Sequence, residues 1–148
     1  MYSVGSIIIV KNIIFKNGNG NFDHSYKNGR PCLVISITDD KVYFVTLSSK
    51  NYGRKYDSEI EINSKYCKKN SIVKVGNIYC RDRYYYEEKC KLSDVDLLKI
   101  LKYFYQFQIS HLCDDLFSEI MIDIQNTIDV ISSRLDTGKR LVYKNCIN

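Results

Sequence analysis

The chain has no tryptophan, one proline, two histidines, and no C-x-x-C pair among its six cysteines. With His24 and His111 as the only imidazoles and cysteines scattered at 32, 67, 80, 90, 113 and 146, the ligand spacing of a zinc site is missing, and no metal ligand is assigned. Reduced thiols fit this pattern better than a disulfide framework. The longest apolar runs, Ile7 to Val10 and Cys32 to Ile35, fall far short of the roughly 20 residues of a membrane span. The start, MYSVGSIIIVK, has neither a basic leader nor a small-residue cleavage site. A cytoplasmic location without a membrane partner is therefore expected. No G-x-x-x-x-G-K, G-x-S-x-G or H-E-x-x-H occurs, nor a G-x-G-x-x-G after a strand, which leaves nucleotide hydrolysis and zinc-dependent hydrolysis without support. No cofactor is expected.

What the chain does have is length, tyrosine and unevenly spread charge. At 148 residues it can bury roughly 70% of its unfolded surface without a covalent staple. Residues 1–91 hold 16 Lys/Arg against 9 Asp/Glu, whereas residues 92–135 hold 3 against 7. The first part attracts polyanions and the second does not. Within it Lys50, Arg54, Lys55, Arg81 and Arg83 are interleaved with Tyr52, Tyr56, Tyr79 and Tyr84 to Tyr86. Cations for phosphates and rings for bases are the ingredients of single-strand binding, although lysine and tyrosine also clothe solvated strands.

The hydrophobic period changes once. Residues 5–15 (GSIIIVKNIIF) predict a strand, and NGNGN after it a loop. Residues 30–38 and 41–49 predict a hairpin turning at Asp39 and Asp40, with Val42, Phe44 and Thr46 on one face and Tyr43, Val45 and Leu47 on the other. Shorter strands are expected near 58–62, 71–75 and 77–81. From Leu92 the pattern becomes helical. Ser93 with Asp94 and Asp96 is a helix-start signal, the helix is expected to end near Gln106, and a second apolar stripe runs through Leu112, Leu116, Ile120, Ile124, Ile128, Ile131 and Leu135. The last residues, 136–148, show no clear period. The expected fold class is mainly β with C-terminal helices (α+β): a small β-barrel or strongly bent sheet with helices on one side.

One stretch is more specific. The segment HSYKNGRPCLVIS (24–36), followed across the hairpin by VTLSSK (45–50), and downstream KCKLSDVDLLKIL (89–101) leading into a helix, resemble the PemK/MazF family of toxin endoribonucleases. The resemblance spans roughly residues 3–106. It implies an SH3-like small barrel, commonly a homodimer, that cuts single-stranded RNA without a metal and is silenced by a cognate antitoxin, protein or RNA. LSSK partly matches the hydroxyl-rich cluster of related toxins whose antitoxin is RNA. The division that follows is a barrel domain with its helix at 1–106 and a helical C-terminal extension packed on it at 107–148.

The family's essential arginine falls on Arg30, and its hydroxyl residue on Ser48, with Ser49 one register away. The residue chemistry agrees. RNA cleavage by its own 2′-OH needs in-line geometry and charge stabilisation on the phosphoryl oxygens, and the nucleophile belongs to the substrate. A guanidinium offers a planar fork of permanent donors, a serine hydroxyl adds one more, and Lys50 adds charge at the rim. His24, beside Asp23, is the competing acid or base. Lys27, Lys50, Arg54, Lys55, Tyr52, Arg81 and Arg83 are the expected RNA contacts. Cys32, inside an apolar strand, reads as a buried, inert thiol. The alternative function is a non-catalytic small-barrel module binding nucleic acid or protein.

Overall fold

In the computed structural model, which describes residues 1–11, 15–16, 22–23, 29–48, 58–62, 71–111 and 118–147, strands precede helices throughout. The strands are β1 (Ser6–Val10), β2 (Phe15–Lys16), β3 (Phe22–Asp23), β4 (Arg30–Ile37), β5 (Lys41–Ser48), β6 (Glu59–Ile62), β7 (Ser71–Asp82) and β8 (Glu88–Lys91). Helices α1 (Asp94–Ser110) and α2 (Ser118–Ile147) follow. Six strands form one antiparallel sheet in the order β6-β7-β5-β4-β1-β8, and β2 and β3 form a separate pair.

The unbroken apolar run of β4 is explained by burial on both faces. Leu33 and Ile35 point into one core with Val45, Leu47, Val73 and Val75, while Cys32 and Val34 point into another with Ile8, Val10, Val42 and Phe44. The β4–β5 hairpin is closed at Asp39 and Asp40 by Thr38, whose backbone N–H donates to the Lys41 carbonyl at 2.9 Å. Ser93 caps α1 by accepting from the Asp96 N–H at 3.3 Å. Leu97, Ile100, Leu101 and Phe104 of α1 and Ile120, Ile124, Ile128 and Ile131 of α2 complete the first core. Helix α2 is also tied to β4, where the buried Ser36 hydroxyl donates to the Asp123 carboxylate at 2.7 Å.

The α+β class is as expected, but the sheet is not closed into a barrel. Closure would require β6 and β8 to pair. Both are four-residue edge strands at opposite ends of the order, and β8 slips register against β1 between Ile7 and Ile8. Other differences are local. β1 ends at Val10 rather than running to residue 15. The two strands expected at 71–75 and 77–81 are one 12-residue strand, whose irregularity opposite Phe44 and Thr46 absorbs the glycine and asparagine at 76–77. Helix α1 runs past Gln106 to Ser110 because Gln108 is buried and donates to the Val75 carbonyl at 2.9 Å. The 136–148 tail, expected without period, continues α2 to Ile147, since no proline interrupts it. Leu112, Leu116 and the NGNGN loop lie outside the described residues.

Candidate functional site

The site begins at a glycine. Gly29 has φ +94°, and a Cβ there would fall 2.3 Å from the Ile9 Cγ2 atom, so no L side chain fits. The chain thereby enters β4 with Arg30 opposite Val10 of β1. Alternation places Arg30 on the face of Cys32 and Val34, where it is only 7% exposed and its Nε donates to the Leu47 carbonyl at 3.0 Å. On β5, Phe44, Thr46 and Ser48 share that face. The β4–β5 register pairs Val34 with Phe44 and Cys32 with Thr46; carried two residues on, it sets Ser48 across from Arg30. Facing side chains on adjacent strands have Cβ atoms about 5 Å apart. This continuation of the register agrees with the bond from Arg30 to Leu47, the residue before Ser48, at that end of the sheet.

A second guanidinium reaches the same face. Arg81 lies on β7, two strands away from β4, yet it lines a cleft of about 400 Å³ together with Val10, Lys11, Tyr85 and Tyr86. Residues 83–87 carry the chain from the end of β7 to β8, which pairs with β1, and so Arg81 and Val10 come to line one cleft. Electrostatics agree. Burial pushes the Cys32 thiol up to about 12, against the opposing pull of Arg30 and Arg81. Burial likewise raises the Tyr79 hydroxyl, with Arg30 acting in the opposite sense, and the Tyr86 hydroxyl, with Arg81 opposing. The Tyr79 ring stacks on Phe44, centroids 5.9 Å apart, and Tyr86 meets Tyr2 edge-on at 5.8 Å. On this face Tyr79 thus lies in the field of Arg30, and Tyr86 in that of Arg81.

Cys32 is fully buried, and its Sγ donates to the Arg30 carbonyl at 3.4 Å, so the thiol is held protonated and chemically quiet at neutral pH. Arg83 is placed elsewhere. It lines a larger cleft, about 870 Å³, among Asp39, Asp40 and Asp82, and its Nη1 donates to the Thr38 carbonyl at 3.4 Å. Lys41 pairs with Asp82 at the edge of the same hairpin. His24, Lys27, Ser49, Lys50, Tyr52, Arg54 and Lys55 lie outside the described residues. Among the described residues no three His, Cys, Asp or Glu side chains cluster as metal ligands. Among the described residues no helix is long and apolar enough to cross a membrane.

Of the expected site residues, Arg30, Ser48 and Arg81 share one face of the sheet. Gly29 and Lys11, which border them, are not among the expected ones. The first was legible as a glycine directly before the arginine; the second was not, since some 70 residues separate Lys11 from Arg81.

Neither a family model nor a curated protein sequence matches the chain. Among solved structures, the fold is similar to that of an endoribonuclease in complex with its cognate antitoxin from a mycobacterial species, at a TM-score of 0.51 and 14% identity, over 69% of this chain and 89% of that one. At that identity the resemblance is one of fold: the chain shares the architecture of that endoribonuclease.

Proposed function

We propose that this protein is the toxin of a toxin–antitoxin system, a PemK/MazF-like endoribonuclease that cleaves single-stranded RNA in the cytoplasm without a metal. One observation carries the reading: the buried Arg30, first residue of β4, is bonded to the Leu47 carbonyl directly before Ser48, the last residue of β5, in an endoribonuclease-like fold.

In the proposed reaction the 2′-oxygen of the RNA attacks phosphorus, the bond to the 5′-oxygen breaks, and a 2′,3′-cyclic phosphate and a 5′-hydroxyl result. The Arg30 fork faces the phosphoryl oxygens as charge grows on them. Its Nε bond to Leu47 fixes the guanidinium plane before substrate arrives, which is the preorganisation such stabilisation needs. The low exposure of Arg30 strengthens its field at the phosphate. Ser48, or Ser49 beside it, donates a further hydrogen bond, and His24 is the side chain suited to moving a proton at neutral pH. Residues 1–106 carry this chemistry, with 107–148 as a helical extension. A cognate antitoxin, protein or RNA, and a second copy of the chain are the proposed partners.

Incubating the purified chain with long single-stranded RNA in excess chelator, and mapping the ends, tests the reading. Cleavage leaving 5′-hydroxyl ends is expected. Activity that needs magnesium, or 5′-phosphate ends, would overturn the mechanism, and RNA bound but never cut would favour a non-catalytic binding module.

A further inference from the structure

The cleft beside Arg30 has a composition that the scissile-phosphate chemistry does not use. It is lined by Val10, Lys11, Arg81, Tyr85, Tyr86 and Glu87, and at about 400 Å³ it falls in the range of pockets that hold small aromatic ligands. Tyr85 is 91% exposed, a large ring kept in solvent, and Tyr84 beside it is 67% exposed. Val10, in the wall, is the register partner of Arg30, so the cleft opens next to the proposed scissile phosphate.

We propose that this cleft holds one nucleobase of the RNA, stacked on Tyr85 beside the cut phosphodiester, with Lys11 and Arg81 on the flanking phosphates. The proposal rests on the endoribonuclease reading and adds the substrate's position. An exposed tyrosine ring accepts any base face, and two cations beside it follow the backbone. Glu87 is the one carboxylate among the described lining residues, and its Oε1 lies 3.5 Å from the Lys89 Nζ, so this lining is net positive.

The direction of entry also follows. Tyr85 lines two clefts: the basic one, and the larger one with Asp39, Asp40 and Asp82. In the larger cleft Arg83, and Lys41 paired with Asp82, offset part of this negative charge, whereas the smaller one is net positive, so the strand passes on the Lys11 and Arg81 side of the ring.

The test uses a short 2′-O-methyl RNA, which lacks the nucleophile and so reports binding alone, together with a cleavage assay on ordinary RNA. Tyr85→Ala is expected to weaken binding roughly 5- to 100-fold, the range for loss of one stacked base. Tyr85→Phe, which keeps the ring, retains most of the affinity. Tyr103→Ala, on α1, serves as the control for loss of a tyrosine away from the face. Arg81→Gln and Lys11→Gln should each reduce the slope of log Kd against log salt by about 0.7, as expected for one phosphate contact on a single strand. If the parent cuts RNA and Tyr85→Ala binds like the parent, the subsite is overturned and the nuclease reading stands. If the parent binds, Tyr85→Ala does not, and nothing is cut, the subsite stands and the nuclease reading falls. A parent that neither binds nor cuts RNA overturns both.

Discussion

Arg30 and Leu47 are joined by a hydrogen bond from the arginine Nε to the leucine carbonyl at 3.0 Å, which binds the start of β4 to the end of β5. The bond makes Arg30 part of the fold as well as of the proposed site, and Ser48 follows directly after its acceptor.

Replacing Arg30 therefore has two separable effects. Arg30→Ala should slow RNA cleavage by about 10² or more, the loss typical of one transition-state donor. It should also lower stability by about 1–3 kcal/mol, because the Leu47 carbonyl loses a buried partner. Arg30→Lys should rescue only in part, since a point charge replaces a planar fork. Initial cleavage rates taken well below the melting temperature of each variant separate the effects. An Arg30→Ala protein that is folded and cuts at the parental rate would remove this residue from the site.

Two glycines give opposite expectations. Gly29→Ala forces an L side chain into φ +94° against Ile9, and should cost about 1–3 kcal/mol and reduce cleavage by displacing Arg30. Gly138→Ala, in the middle of α2 with nothing within 4 Å of the added methyl, should instead stabilise by about 0.5–1 kcal/mol. Denaturant midpoints of the two variants check the pair.

Stability should fall in alkali. The folded Cys32 thiol sits at about 12 where the unfolded one lies near 9.0, so between these values the unfolded chain releases a proton that the folded chain keeps. The contribution is complete below pH 9 and is lost as pH rises toward 12, by up to about 4 kcal/mol. Burial of Tyr79 and Tyr86 adds to the loss above pH 10. Unfolding curves from pH 8 upward should steepen accordingly, and Cys32→Ala should flatten the first part of the decline. In a thiol-alkylation time course at neutral pH, the exposed Cys80 should be modified before Cys32.

Ile124 and Ile122 lie two residues apart on α2, one fully buried and the other 65% exposed. Ile124→Asp places an unpaired charge in the core shared by the sheet and both helices, and should destabilise the chain by about 3–5 kcal/mol. Ile122→Asp should change stability by no more than about 0.5 kcal/mol. Thermal melts, run with a measurement of oligomeric state, distinguish this from a stripe that serves a dimer; in that case Ile124→Asp would leave a fully stable monomer.

The features legible in the sequence are those decided by neighbours along the chain. The β4–β5 hairpin follows from two apolar runs and the Asp39–Asp40 turn, the start of α1 from Ser93 and its acidic first turn, and the buried face of α2 from its isoleucine spacing. The helical end of α2 was not legible, because residues 136–148 carry no stripe and their helix is an extension of the turns before them. The open sheet was not legible either, since closure depends on whether two short edge strands from distant parts of the chain meet.

For the site, the sequence by itself determined which residue types were on hand: a glycine before an arginine, a strand ending in hydroxyls, and cations interleaved with tyrosines. The tertiary structure alone decided their arrangement. It buried Arg30 against Leu47, brought Arg81 and Lys11 to one cleft from strands separated by β5 and β4, and sent Arg83 to the carboxylates instead. Local propensity sets the face of a strand on which a side chain stands, whereas the curl of a six-stranded sheet depends on packing across all its strands at once.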